Sequence, residues 1–208
     1  MLASRVGGEA GARVLVNASG IDVYGPRDDD APVGEGEPAG EGFLAATCVA
    51  WEAAAREAEP RGARVVRVRT APVLAGNGGL LPRLATLTRL MLGGPVGGGR
   101  QWMPWIHIDD QAAVLEAAID DRGLVGAVNA AAPEPVRQRE FMAALGGVLR
   151  RPSALPTPAL PLRLALGEMA TLLLDGQRAV PEALSARGFA FAWPELEPAL
   201  RDALGRPA

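Results

Sequence analysis

The sequence has 208 residues, 49% of them hydrophobic, so it can bury one sizeable core, and its single cysteine excludes an internal disulfide. The formal net charge of −3 argues against a nucleic-acid partner, and all 21 basic residues are arginine, which excludes a tyrosine–lysine catalytic pair. No apolar run of about 18 residues predicts a membrane span, and no secretion signal opens the sequence, so we expect a cytoplasmic protein without a membrane partner.

The first part of the sequence predicts a strand, a helix and a second strand. The β-branched run from Val14 to Ser19 is typical of a strand buried on both faces of a parallel sheet. A loop rich in Gly, Pro and acid leads to a helix over 43–59, and Arg64 to Arg69 predicts the second strand. One face of the helix is expected to carry its apolar residues: Phe43, Leu44, Thr47, Cys48, Trp51 and Ala55. This βαβ order predicts a parallel sheet.

The rest of residues 1–150 continues the alternation of helices and short strands. The elements expected in chain order are a helix over 80–92, an extended segment over 102–108, a helix ending near Asp120, a strand over 126–130 and a helix over 138–149. Asp109 or Asp110 is expected to cap the second of these helices. From Arg151 the composition shifts to a proline-rich connector. We interpret 151–208 as a small α-rich lobe, with helices over 162–174 and around 181–188 and 195–204.

Ser19 and the residues after it resemble the extended short-chain dehydrogenase/reductases. In that family the central strand ends on a catalytic Ser or Thr, and a Val-Tyr-Gly turn follows, as Val23-Tyr24-Gly25 does here. The order of later motifs is similar to an atypical branch, described as NAD-dependent epimerase/dehydratase-like proteins or nucleoside-diphosphate-sugar epimerases. These motifs include Gly93-Gly94-Pro95-Val96-Gly97-Gly98-Gly99-Arg100-Gln101-Trp102, Trp105-Ile106-His107-Ile108-Asp109-Asp110 and Gly176-Gln177-Arg178-Ala179-Val180-Pro181. The branch ends in a C-terminal domain of unknown function, which the segment from about Leu155 resembles.

The resemblance implies roles for several residues. Ser19 matches the hydroxyl that hydrogen-bonds the substrate, with a merely polar strand end as the alternative. Backbone of Thr70, Ala71, Pro72 and Val73 is implied to pass the nicotinamide end of NAD(P). Arg100 and Gln101 match a region that approaches the diphosphate of a nucleotide-sugar-like ligand, with a surface-loop arginine as the alternative.

Three other residues have competing interpretations. His107 shares a strand face with Trp105, and a packed histidine is favoured over a substrate-binding general base. Cys48 is interpreted as a buried thiol rather than a nucleophile, and Tyr24 as a packing residue. With one histidine and one cysteine, no zinc site is expected.

Two features of the family are missing from the sequence. Family members begin with a strand and a Gly-x-x-Gly-x-x-Gly turn for the cofactor pyrophosphate, and these 208 residues contain no such turn. We therefore expect an N-terminally truncated protein that lacks the first strands of a partial Rossmann-type sheet. Its exposed strand edge predicts self-association. The positions of the usual catalytic Tyr and Lys hold either Leu44 and Cys48 or Phe43 and Thr47.

The leading functional hypothesis is the substrate-side portion of an NAD(P)-dependent epimerase/dehydratase-like protein, inactive alone because the glycine motif and the Tyr/Lys pair are absent. The alternative is a non-catalytic nucleotide-sensing or scaffold protein with a degenerate fold of the same kind. The most informative experiment restores the upstream segment and screens both NAD and NADP with nucleotide-sugars.

Overall fold

A parallel β-sheet with helices on both faces forms the centre of the protein. The computed structural model describes residues 13–27, 29–153 and 176–206. The strands are β1 (Arg13–Gly20), β2 (Ala63–Thr70), β3 (Val73–Leu74), β4 (Trp102–Met103), β5 (Ile106–His107), β6 (Gly126–Ala130) and β7 (Val136–Arg137). The helices are α1 (Phe43–Arg56), α2 (Leu81–Arg89), α3 (Ile108–Asp120), α4 (Gln138–Leu149), α5 (Glu182–Ala186) and α6 (Leu196–Ala203). No helix in these ranges has both the length and the apolar character that a membrane span requires.

Three strands make up the main sheet, in the order β1-β2-β6. β1 pairs with β2 along its whole length, and β6 pairs with the carboxyl half of β2; both pairings are parallel. The predicted α/β fold with its βαβ unit is confirmed, and the bounds of these three strands agree with the prediction to within one residue. Two smaller pairs accompany the main sheet, β3 with β5 in parallel and β4 with β7 antiparallel.

Different helices cover the two faces of the sheet. Val66 and Val68 of β2 and Val128 of β6 pack with Val114 and Ala118 of α3 in one apolar cluster. Because side chains alternate along a strand, the odd-numbered residues of β1 and β2 point to the opposite face, where α1 lies. The sheet therefore has an apolar face under α3 and a partly polar face under α1.

The predicted apolar face of α1 is confirmed at Cys48 and Ala55 and is wrong at Phe43, Leu44 and Trp51. Phe43 is 73% exposed and Trp51 is 55% exposed, whereas Cys48, Glu52 and Ala55 are buried. The helix is turned so that Glu52 covers the arginines of β2. Hydrophobicity alone mispredicted the orientation, since buried arginines need a carboxylate partner and Glu52 is the acid that α1 offers.

The capping residue of α3 also differs from the prediction. Neither Asp109 nor Asp110 caps the helix; His107 is the N-cap, and its Nδ1 accepts from the backbone N–H of Asp109. The Asp110 carboxylate instead accepts from the backbone N–H groups of Ala192 and Trp193, at 2.7 and 3.0 Å. It thus ties α3 to the C-terminal segment.

The C-terminal segment also packs on the α/β part through a β-bridge and an apolar cluster. Val33 and Ala179 form a parallel β-bridge, and Leu200 of α6 joins an apolar cluster with Trp105 and Phe141. The two short helices expected near the C-terminus are confirmed as α5 and α6.

α2 is shorter than the predicted 80–92, and Met91 beyond it has a φ of 59°. The helix predicted over 162–174 lies outside the described residues.

Candidate functional site

Three polar residues form one row across the carboxyl ends of the main sheet. Ser19 of β1 is in register with Arg69 of β2, and Arg69 is in register with Asn129 of β6. All three are buried. In open α/β sheets this edge is where ligands bind, and so the row is the centre of the candidate site.

The Glu52 side chain, on α1, accepts hydrogen bonds from two members of this row, Ser19 and Arg69. Its carboxylate accepts from Nε and Nη2 of Arg69 at 2.7 and 2.9 Å, from Arg67 at 2.9 Å and from the Ser19 hydroxyl at 3.0 Å. Burial raises the pKa of the Glu52 carboxyl, but the hydrogen bonds from Arg69 and the other partners outweigh it, so the net pKa lies below its ordinary value. Glu52 is therefore ionised at neutral pH and is a weak base.

Tyr24 and Asn129 extend the row towards the C-terminal segment. The Tyr24 hydroxyl donates to Oδ1 of Asn129 at 2.7 Å and accepts from Nη1 of Arg69 at 2.8 Å. The Asn129 amide donates to the carbonyls of Val33 and Val180 at 3.3 and 2.9 Å. Burial raises the pKa of Tyr24, so its phenol stays protonated at neutral pH. Tyr24 thus acts here as a neutral hydrogen-bond bridge.

Glu35 fastens the loop before α1 to the same edge. Oε1 of Glu35 accepts from the backbone N–H of Asn129 at 2.8 Å, and Oε2 accepts from the N–H of Ala183 at 3.1 Å. Burial raises the pKa of this carboxyl. The loop before α1 therefore has a half-buried anchor between β6 and α5.

Cys48 lies beside Ser19 on the buried side of α1. Burial raises the pKa of its thiol, although the backbone of Gly20 and the Ser19 hydroxyl act in the opposite direction. Leu44, at the other position expected for the usual catalytic pair, is 38% exposed. A protonated thiol and a leucine do not form an acid–base pair.

The residues expected at the nicotinamide end of a cofactor follow β2 at the same edge. The Ala71 N–H donates to the Ala130 carbonyl at 3.0 Å, and the Pro72 carbonyl accepts from the Ile106 N–H at 3.1 Å. Val73 pairs with Ile106 in the small parallel sheet. Thr70 is half-buried at the last position of β2. The path of this backbone is thus fixed by its own hydrogen bonds.

Arg100 and Gln101 lie at the end of the glycine-rich loop, next to β4 and β7. The Gln101 side-chain amide donates to the backbone carbonyl of Val96 at 3.2 Å, and the Gln101 backbone carbonyl accepts from the backbone N–H of Gln138 at 2.9 Å. The Arg100 carbonyl accepts from the Arg137 guanidinium, and the Arg100 side chain is exposed. The structure therefore brings Arg100 and Gln101 together with Arg137, a residue that the motif comparison did not include.

His107 lies apart from the polar row, under the C-terminal helix. It is 1% exposed and packs against Trp193, with ring centroids 4.9 Å apart. Nδ1 lies 3.5 Å from a carboxylate oxygen of Asp109, and Nε2 lies 3.3 Å from one of Asp202, on α6. The Nε2 contact lacks the alignment of a hydrogen bond. The imidazole thus connects α3 to α6.

Sequence reasoning selected Ser19 but not the charged residues of this network. Arg67 and Arg69 alternate with valines in a strand predicted to be buried, and Glu52 is the single acid within α1. A charged residue at a buried position needs a partner of opposite charge. That rule, applied to Arg69, would have pointed to Glu52.

The comparisons with known proteins identify relatives along nearly the whole chain. An epimerase family protein of Mycobacterium bovis is 44% identical over 200 residues, which are 96% of this chain and 66% of the relative. The crystal structure of human epimerase family protein SDR39U1 (isoform 2) with NADPH has a TM-score of 0.86 and 34% identity, covering 93% of this chain and 65% of that one. A nucleoside-diphosphate sugar epimerase from Corynebacterium glutamicum has a TM-score of 0.79 and 31% identity, covering 98% and 40% of the two chains.

The C-terminal segment matches a family model of its own. Residues 157–203 match a domain of unknown function, DUF1731. The chain spans slightly less than two thirds of the length of the first curated relatives that it matches, and 55% of the chloroplastic homologue from Arabidopsis thaliana. The matches run through the sheet and the C-terminal segment alike, and the chain therefore belongs to the SDR39U1-like epimerase family of atypical short-chain dehydrogenase/reductases.

Proposed function

We propose that this chain is the substrate-side portion of an NAD(P)-dependent epimerase/dehydratase-like protein. The observation that carries the proposal is the polar row of Ser19, Arg69 and Asn129 at the carboxyl ends of three parallel strands. The C-terminal segment is fastened to that edge, because Gln177 donates to the Ile21 carbonyl at 2.7 Å and Asn129 donates to Val180. A nucleotide-sugar-like ligand would lie between the sheet edge and this segment.

The residues present fit one end of a nicotinamide cofactor. The half-buried Thr70 hydroxyl and the acceptor lone pairs of Ser19 lie at the carboxyl edge, next to the fixed backbone of Ala71 and Pro72. When bound, the cofactor would supply hydride transfer. The 208 residues contain no glycine-rich turn for its pyrophosphate, so this chain alone is expected to bind NAD(P) weakly. The crystal structure of the human relative with NADPH supports the choice of cofactor class.

A non-catalytic nucleotide-binding protein is the second candidate function. Its support is the protonation state of three ionisable groups beside Ser19 and Arg69. Glu52 is held ionised by the arginines, while the Cys48 thiol and the Tyr24 phenol are held protonated by burial. General acid–base catalysis works best with a pKa near the operating pH, and none of these groups has one.

Calorimetric titration with NADPH and with UDP-glucose tests the proposal on two proteins. One is the 208-residue chain, and the other is this chain fused to the part of the Mycobacterium bovis relative that it does not match. We expect the fusion to bind NADPH in the micromolar range and the chain alone to bind at least about tenfold more weakly. Equal binding by both proteins, or none by the fusion, contradicts the proposal. Ligand binding by the fusion without turnover favours the non-catalytic candidate.

A further inference from the structure

Two arginines lie against one tryptophan beside the glycine-rich loop. Trp102 of β4 is paired across the antiparallel ladder with Arg137 of β7, whose guanidinium carbon lies 3.8 Å from the indole centroid. Arg178 lies 5.1 Å from the same ring. Gly176 allows this approach, since a Cβ there would lie 1.9 Å from the Trp102 carbonyl oxygen. The result is a cationic site in which two guanidinium groups lie over one indole ring.

A carboxylate from the loop before α1 already occupies this site. Asp30 accepts a hydrogen bond from Nη2 of Arg137, and its backbone carbonyl accepts from Nη1 of Arg178 at 3.1 Å. The Asp30 side chain is nevertheless 73% exposed, so solvent reaches this contact. The Arg137 hydrogen bond holds the pKa of Asp30 below its ordinary value, and Arg178 and the indole of Trp102 act in the same direction. One residue with an exposed carboxylate thus contacts two half-buried guanidinium groups.

The hydrogen-bond donors around Asp30 outnumber those that its carboxylate satisfies. Nε of Arg178 is buried and has no hydrogen-bond partner among the described residues, while Arg137 and the Trp102 indole share the Asp30 carboxylate. Buried donors in proteins are almost always paired. A carboxylate offers two oxygens, whereas a phosphoryl group offers three and a larger negative charge. The arrangement therefore suits a phosphoryl group better than the side chain it holds.

We propose that Trp102, Arg137 and Arg178 form a binding site for a phosphoryl group, and that Asp30 competes with that group for the two arginines. The site adjoins Arg100 and Gln101, because the Arg100 carbonyl accepts from Arg137. It deepens the proposed function and rests on it for the kind of ligand that would carry the phosphoryl group. Guanidinium groups bind phosphate through paired donors, and the flat indole orients one of them.

Calorimetric titration of the 208-residue chain with inorganic pyrophosphate, at fixed low ionic strength, tests this site. Asp30→Asn removes the competing charge, and we expect it to tighten pyrophosphate binding by about fivefold or more. Arg178→Met in the Asp30→Asn background is expected to weaken binding by about tenfold. Trp102→Phe keeps an aromatic ring but removes the indole donor, and a loss of about threefold is expected.

Asp29→Asn is the matched control for the removal of one loop charge. Asp29 pairs with Arg27 at 3.4 Å and contributes nothing to the tryptophan site. An equal effect of Asp29→Asn and Asp30→Asn, binding unaffected by Arg178→Met, or no binding to either wild type or Asp30→Asn overturns the proposal. Malonate is titrated in parallel, and equal affinity for this dicarboxylate overturns the phosphoryl assignment. Far-UV circular dichroism confirms that each variant is folded.

The same titrations separate this site from the proposed cofactor role. Pyrophosphate binding together with failure of the fusion protein to bind NADPH upholds the arginine site and rejects the proposed function. NADPH binding by the fusion, with no response to Asp30→Asn or Arg178→Met in pyrophosphate titrations, upholds the function and rejects the site.

Discussion

The Ser19 hydroxyl of β1 donates a 3.0 Å hydrogen bond to Oε1 of Glu52 on α1. An ionised carboxylate only accepts, so the single hydroxyl proton of Ser19 is used inside the protein. What remains for a ligand are the lone pairs of the serine oxygen. Under the proposed function, a ligand hydroxyl or amide would therefore donate a hydrogen bond to Ser19, and Ser19 would not donate one to a ligand carbonyl. This orientation depends on Glu52, which the two arginines hold in its charged form.

Removal of the Glu52 carboxylate is expected to destabilise the fold. In Glu52→Ala, Arg69 is left as a buried guanidinium without its counter-ion, and we expect a loss of about 3–5 kcal/mol in the free energy of unfolding. Glu52→Gln keeps one acceptor oxygen and is expected to cost less. Urea denaturation at neutral pH measures both. Glu57→Gln, an exposed glutamate just after α1, is the matched control, with an expected change within about 0.5 kcal/mol. A loss under about 1 kcal/mol in Glu52→Ala would contradict the assigned pairing.

The same carboxylate predicts a pH dependence of stability. The folded pKa of Glu52 lies below the 4.5 of an ordinary glutamate, so its contribution is complete above about pH 4.5 and is lost as the pH falls towards the folded pKa. The stability difference between wild type and Glu52→Gln should therefore shrink below about pH 4.5. Denaturation midpoints from about pH 7 to about pH 3 measure it. The raised pKa of Glu35 has the opposite effect, so the comparison with Glu52→Gln, and not the wild-type curve alone, carries the test. Parallel curves for the two proteins would show that Glu52 is not the group responsible.

Much of the fold follows from sequence patterns, and the centre of the site does not. An uninterrupted apolar run predicts β1, because parallel strands are buried on both faces, and the valines between the arginines predict β2. The orientation of α1 was mispredicted because the pattern ranks Phe43 and Trp51 as core residues, while the fold buries Glu52. Charge pairs such as Glu52 with Arg69 join residues 17 positions apart in different elements. Local periodicity contains no information about such a pair. The requirement to neutralise a buried charge, in contrast, indicates that Arg69 has an acidic partner.

The only tyrosine of the chain is expected to titrate late. Burial raises the pKa of Tyr24 above its ordinary 10, so phenolate absorbance should appear only above that pH in the folded protein and near pH 10 in denaturant. Since the folded pKa is raised, stability is complete below about pH 10 and falls as the pH rises further. Tyr24→Phe removes the absorbance change and the bonds to Arg69 and Asn129, at an expected cost of about 1–3 kcal/mol. Identical titrations of folded and unfolded protein would rule out the buried phenol.

Self-association of the 208-residue chain is expected through the outer edge of β1. Among the described strands β1 pairs with β2 alone, and its exposed residue is Ala18. Unpaired backbone groups along such an edge form hydrogen bonds with another strand, and a charged side chain there opposes the pairing. Ala18→Lys should therefore lower the apparent molecular mass measured by light scattering. The matched control is Ala53→Lys, which adds the same charge at an exposed position on α1. If both lysine variants dissociate the oligomer equally, overall charge and not the strand edge controls assembly. A wild-type chain that is monomeric at every concentration would contradict self-association through the edge of β1.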